Sequence, residues 1–215
     1  MRRSPIIVGM VIVLGVLGLI GVLVWSATIF EDDFSPPKPG WLIGTDPFGN
    51  GTWGVIGGEY QVLVSRPRAI SSSFAPVKEL SEFCIESAVK LMGTSARGSE
   101  AGLAVAGQGT GQATRFLTFG IFPDGAYRLG RFVAGRIEDL PVATAPLSLR
   151  PAGLWNILKV VAQGNTLHFY ANDQLLATAQ QTASGRIGFF GRAGRTPFAI
   201  GRFDYIRIMT PDCKP

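Results

Sequence analysis

An all-β sandwich or barrel carried on one membrane-spanning helix is the fold class this sequence predicts, and three observations predict it. Residues 6–25, IIVGMVIVLGVLGLIGVLVW, form an uncharged apolar run. Beyond it, turn signals recur at short intervals between β-rich stretches. The chain holds 28 glycines and 14 prolines, and only 16% of its 215 residues are charged. That balance fits a turn-rich β domain and not a soluble helical one.

The apolar run comes first. At 1.5 Å per residue, about 20 residues cross a hydrocarbon layer about 30 Å thick. A helix apolar on every face for this length is a membrane span, here placed at about residues 6–26. Trp25 and Phe30 stand where an interfacial aromatic belt lies. Arg2 and Arg3 precede the run, and Glu31, Asp32 and Asp33 follow it. The positive-inside rule then keeps the N-terminus in the cytoplasm and sends the rest outside. The rival is a cleaved signal peptide. Against it, the run is long, and Trp25 stands two residues before Ala27, where a cleavage site wants a small side chain. Gly9, Gly15, Gly18 and Gly21 form no strict GxxxG pair, so they are read as ordinary membrane-helix glycines.

Residues 1–30 are therefore assigned to the cytoplasmic tip and anchor, 31–40 to a linker with the first strand, and 41–215 to one folded domain. Ser35-Pro-Pro-Lys-Pro39 is a short, stiff stretch that holds the domain near the membrane surface. Strands are predicted over residues 59–65, 82–92, 101–106, 114–122, 126–133, 154–163, 166–171, 174–179, 186–191 and 198–209. Hairpins are expected at Pro123-Asp124-Gly125, Gln163-Gly164-Asn165 and Asn172-Asp173, whose residue types tolerate the positive φ of tight turns.

These segments carry a resemblance. DDFSPPKPGW (32–41), LWNILKVVAQGNTLHFYANDQLL (154–176), GRIGFFGR (185–192) and FDYIRI (203–208), in that order, resemble bacterial laminin-G-like domains of the concanavalin-A-like jelly-roll superfamily, which also includes sugar hydrolases. The match runs through most of residues 32–209. Asp173 departs from it, since the family commonly has Gly after the turn Asn. The resemblance implies a two-sheet antiparallel jelly-roll sandwich, about six or seven strands to a sheet, with one sheet concave.

The two cysteines, Cys84 and Cys213, form an even pair in a chain read as extracytoplasmic, which points to a disulfide. Cys84 begins the run FCIESAVKL and Cys213 follows the last run. Side-by-side antiparallel pairing would bring the two within bridging range.

The catalytic readings are weak. Superfamily glycosidases set paired carboxylates along one strand, whereas the run 83–92 has Glu86 followed by Ala88 and Lys90. Glu86 and Lys90 are read as a surface ion pair. The single histidine, His168, sits mid-strand without a nucleophile motif. The loop Gly107-Gln-Gly-Thr-Gly111 lacks the helix start of a phosphate cradle. Asp46, Asn50, Asp124 and Asp204 are calcium candidates in name, but none belongs to a dense acidic loop. No cofactor and no metal is expected. Residues 101–215 hold twelve basic groups against six acidic. The basic groups are scattered, without the Lys-rich clusters of a nucleic-acid binder.

Two functions are weighed. The first is a non-catalytic accessory or structural subunit of a larger membrane complex, with the bilayer and other integral subunits as partners. The second is an extracytoplasmic carbohydrate-binding module. In it Trp41, Trp53, Tyr60 and Tyr127 stack on sugar rings while Arg128 or Arg131 contacts acidic groups. A glycoside hydrolase is the third and least supported.

Overall fold

The computed structural model describes residues 27–111, 114–142 and 149–213, and every regular element among them is a strand. No helix among the described residues is long and apolar enough to cross a membrane. The span read at residues 6–26 lies outside the described residues.

Sixteen strands form two antiparallel sheets. In chain order they are β1 (Thr28–Asp32), β2 (Gly44–Thr45), β3 (Gly51–Ile56), β4 (Glu59–Val64), β5 (Ile70–Phe74), β6 (Phe83–Leu91), β7 (Glu100–Gln108), β8 (Arg115–Ile121), β9 (Tyr127–Val133), β10 (Arg136–Asp139), β11 (Asn156–Gln163), β12 (Thr166–Ala171), β13 (Gln174–Gln180), β14 (Arg186–Arg192), β15 (Ala199–Phe203) and β16 (Ile206–Met209). Ten make one sheet, ordered β13-β12-β11-β6-β15-β4-β3-β2, with β16 also on β6 and β1 on β16. Six make the other, ordered β10-β9-β8-β7-β14-β5.

Period-2 alternation decides what each sheet buries. On β14, Phe189 joins the core between the sheets while its neighbour Phe190 joins a separate cluster on the other face. On β6, Phe83, Ile85, Val89 and Leu91 face the core, and Cys84 belongs to a cluster outside it. The core centres on stacked rings. Phe189 lies 3.9 Å from Phe203 and 5.5 Å from Trp41, both in stacked geometry. Phe34 and Tyr60 complete the group. These aromatics bury much of the apolar area that holds the sheets together.

The three predicted hairpins form. Asn172 and Asp173 have φ of 49° and 65°, so an Asp does adopt the position where the family commonly has Gly. The run 198–209 is two strands, because Asp204 and Tyr205 interrupt it. The Asp204 N–H donates to the Ala88 carbonyl at 3.2 Å, and the Ser87 hydroxyl donates to the Tyr205 carbonyl. Both halves then pair with β6, at residues 89–91 and 84–86.

The boundary expected at residues 30–31 needs correction. Residues 28–32 are a strand of the sandwich, β1, paired with β16 from Thr28↔Met209 to Asp32↔Ile206. Phe30 is therefore no belt residue: it packs 6.3 Å from Trp41, with Lys38 over its ring. The Ser35–Pro39 stretch is not a linker. Buried Asp32 accepts from the N–H groups of Phe34 and Lys38 and from Trp41 Nε1, at 2.7–2.8 Å, which folds that stretch back onto the domain.

The disulfide forms as expected. Cys84 and Cys213 are bonded with Cα atoms 6.2 Å apart, and Met209↔Cys84 pairing supplies the geometry. The expected Glu86–Lys90 pair does not form. Glu86 lies on the outer face of the ten-stranded sheet and meets Lys159 at 2.9 Å, while Lys90 meets Glu59 at 3.3 Å and covers Trp155. Residues four apart on one strand face the same way but are too far separated to pair, whereas cross-strand neighbours touch.

Candidate functional site: a cleft over the six-stranded sheet

The outer face of the six-stranded sheet is floored with aromatic rings. Phe74 (β5), Phe116 (β8), Phe132 (β9) and Phe190 (β14) share one apolar cluster with Ile70 and Ile137. Phe116 sits 4.8 Å from Phe132 and 5.9 Å from Phe74. Phe116 and Phe190 are buried, 2% and 0% exposed, and of the four rings Phe74 and Phe132 reach the open space above this face.

Two arms of one cleft lie on this floor. The first encloses about 570 Å³, within the range of small-ligand sites. Trp53, Phe48, Phe74 and Phe132 line it with the polar groups of Asp46, Asn50, Ser72 and Arg186. Phe48 is 47% exposed and stands at the rim. Arg186 lies 4.4 Å over the Phe74 ring and is tied down by the Gly109 carbonyl. Trp53 is 8% exposed and belongs to the same core cluster as Trp41 and Tyr60, although it also lines this arm, and its buried Nε1 has no hydrogen-bond partner. Leaving such a donor unpaired costs about 1–3 kcal/mol.

The second arm, about 920 Å³, is lined by Arg68, Arg97, Arg136, Arg192 and Arg195 beside Phe122 and Ile137. Ile70 and Gly135 line both arms, so the two are contiguous.

At the edge of the basic arm lies a caged carboxylate. Glu100 is fully buried, bonded to Arg128 and 3.6 Å from Arg192. Gly120 makes room for it, since a Cβ there would run into the Glu100 carboxyl group. Burial raises the Glu100 pKa above its ordinary value, and the Arg128 and Arg192 charges only partly offset this.

Of the residues read from the sequence as sugar contacts, Trp53 alone lines the cleft. Trp41 and Tyr60 are core residues, 7% and 0% exposed. The Tyr60 hydroxyl donates to the Leu42 carbonyl or to Ser73 Oγ, at 2.7 and 2.6 Å, and burial raises its pKa. A ring with both faces packed in a core has none for a sugar. Tyr127 packs edge-on to Phe119 at the core boundary. Arg128 serves Glu100. Arg131 lies at the sandwich edge, where it reaches Gln181 at 3.2 Å and lines a smaller hollow.

The calcium candidates are dispersed. Asp46 and Asn50 line the ring arm, but Asp46 spends its oxygens on the Phe48 N–H and the Ser71 hydroxyl. Asp124 Oδ1 caps the Ala126 N–H of a hairpin. No group of three metal-binding side chains occurs among the described residues. His168 meets Thr178 across β12 and β13 at 3.1 Å, and its ring lies 6.5 Å from that of Tyr170.

No family model matches the chain, and no curated protein does. Solved structures do match. A carbohydrate-binding module, CBM66, from Bacillus subtilis is 18% identical, with a TM-score of 0.60 over 75% of this chain and 92% of that one. A Bacillus subtilis protein of unknown function with a galectin-like fold is 11% identical, with a TM-score of 0.61 over 86% and 96%. A Bacillus licheniformis β-glucanase is 15% identical, with a TM-score of 0.57 over 86% and 98%. At these identities the likeness establishes the fold: a jelly-roll sandwich of the galectin and concanavalin type.

Proposed function

We propose that this domain binds carbohydrate, without cleaving it, in the cleft over the six-stranded sheet. The observation that carries the reading is the ring arm itself. Phe48, Phe74 and Phe132 offer apolar surface to a sugar's C–H face, and Asn50, Ser72 and Arg186 stand beside them as polar groups for its hydroxyls. The fold it shares with a carbohydrate-binding module and a galectin-like protein supports the same reading.

Binding fits better than hydrolysis. Glycosidic cleavage needs two carboxyl groups flanking the bond, about 5–9 Å apart. Glu100 is buried against Arg128 and Arg192, and Asp46 is engaged by Phe48 and Ser71. Neither is free to protonate a leaving group or to attack a sugar carbon.

The proposal places the domain outside the cytoplasm, on the anchor at residues 6–26. The charge pattern beside that run supports this placement, as does the Cys84–Cys213 bond, since disulfides persist in oxidising compartments. The accessory-subunit reading draws on the anchor segment, and no feature of the sandwich favours it over glycan binding.

A glycan array probed with the full-length chain in nonionic detergent tests the proposal. Retention of at least one polysaccharide class is expected. Phe48→Ala, at the exposed rim, and Phe132→Ala, on the half-buried floor, should each weaken it several-fold. No retention at millimolar sugar overturns the reading, as does retention that neither variant weakens.

A further inference from the structure

We propose that the arginine-lined arm reads the acidic group of its ligand, so that the carbohydrate bound here is a charged polysaccharide bearing carboxylate or sulfate. This deepens the carbohydrate reading and rests on it.

Five guanidinium groups line the arm, and no Asp or Glu lines it. Two of the five are partly neutralised: Arg192 by Glu100 at 3.6 Å, and Arg136 by exposed Glu138 at 3.0 Å. Arg68, Arg97 and Arg195 make no ion pair among the described residues. Elsewhere the domain pairs its charges across strands, as Arg207 does with Glu31 and Arg202 with Glu59. Other arginines without an ion pair, such as Arg66, Arg115, Arg131, Arg150 and Arg186, hydrogen-bond through their guanidinium groups, whereas Arg68, Arg97 and Arg195 have no side-chain partner of either kind among the described residues. Like charges crowded into one hollow repel each other, and an anionic ligand would relieve that repulsion.

Their gathering is built into the backbone. The three side chains come from three loops far apart in sequence. The Arg68 N–H donates to the Gly194 carbonyl at 2.8 Å, and the Ala193 N–H donates to the Ala69 carbonyl at 3.0 Å. A Cβ at Gly194 would collide with the Arg97 carbonyl oxygen, so only glycine lets the third loop close down. Arg68 itself adopts φ of 59°, a left-handed conformation that costs a non-glycine residue energy and is held by its surroundings.

The shape and placement of the arm select the ligand. Planar guanidinium groups bind carboxylate or sulfate through paired N–H donors. Because Ile70 and Gly135 join the two arms, one extended chain lays a sugar on the rings and the next acidic group among the arginines. A recessed hollow does not fit the flat surface of a bilayer. Three uncompensated charges support few of the phosphate contacts on which nucleic-acid affinity depends.

The test uses the full-length chain in nonionic detergent against polygalacturonate and hyaluronan (carboxylate only), heparin (sulfate and carboxylate), neutral laminarin and dextran, and duplex DNA. At least one acidic polymer is expected to bind more tightly than either neutral one. The triple variant Arg68→Gln/Arg97→Gln/Arg195→Gln should weaken that binding on the order of 100-fold, as lost charge-assisted contacts imply. Any neutral-glycan binding should change less than about twofold. A preference for heparin over both carboxylate polymers assigns the group as sulfate; comparable binding of the uronates assigns it as carboxylate. If neutral glycans bind as tightly as acidic ones, or if the triple variant keeps its acidic binding, the inference is overturned while the carbohydrate reading stands. If no polysaccharide binds, both fall. DNA binding as tight as heparin binding, lost in the triple variant, also overturns it, because the arm then recognises polyanions at large.

Discussion

Replacing Cys84 and Cys213 together by alanine should cost the domain about 5 kcal/mol. The bond joins residues separated by 129 positions. On the chain-entropy account, closing a loop of that length removes roughly 17 cal/mol/K from the unfolded ensemble, which is about 5 kcal/mol at 25 °C. Typical domains are stable by only about 5–15 kcal/mol in total, so a large share is at stake. Alanine suits the site, because fully buried Cys84 packs with Val161 and Met209, where a serine hydroxyl would add a burial cost of its own. Strand pairing around Cys84 does not need the bond, so the variant should still fold. Urea unfolding of the oxidised wild type and the double variant is the assay. With a slope of about 2–3 kcal/mol/M, the midpoint should fall by roughly 2 M. The slope itself should steepen, because the unfolded chain expands once the cross-link is gone. A loss below about 1 kcal/mol with an unchanged slope would refute the reasoning, since the bond would then constrain nothing that the sheets do not.

Two further outcomes follow from the core and from the caged carboxylate. Trp41→Phe removes the Nε1 bond to buried Asp32 and narrows the stack on Phe189, and should lower the melting temperature by roughly 5–10 °C; a melting temperature within a degree of wild type contradicts the core role. Burial holds the Glu100 pKa above the ordinary carboxylate value, so over a window opening near pH 4.5 the folded state keeps a proton that the unfolded chain has released. The Glu100 contribution to stability therefore falls as pH rises through the window. Wild-type stability minus that of Glu100→Gln should decline from about pH 4.5 upward, and a difference flat across pH denies the shift.

Much of the sandwich was legible because its long central strands carry clean signals. Runs such as TLHFYA and RIGFFGR are apolar or aromatic and end at Gly or Asn, and they became β12 and β14. The strands that escaped notice have other chemistry. β5 reads ISSSF, and β3 begins with Gly and has another Gly inside it, so local preference argues against both; pairing with β14 and β4 overrides it. β1 was hidden by its neighbour, since an apolar run just upstream makes Thr28–Asp32 read as the tail of an anchor. The cleft was barely legible. Aromatic type marks Trp41, Trp53 and Tyr60 equally, and all three pack in one core cluster; only the course of the loops decides that Trp53 also borders the cleft. The excess of arginine late in the chain was visible. That Arg68 from the first half joins Arg195 was not, because a backbone bond between two distant loops has no sequence signature.

The pairing of β1 with β16 bears on how the domain carries load. At the end of that ladder Ala27 and Thr210 clasp each other twice, once through their backbones and once through the threonine hydroxyl. A pull applied at residue 26 would meet the domain first at this clasp. β1 is the short strand that would peel first. β16, riveted to β6 by the Cys84–Cys213 bond, would stay in place and offer β1 the same edge to zip back onto when the pull relaxes. Tension applied at residue 26 would therefore strip β1 from β16 before it disturbs the strands that pair on both sides.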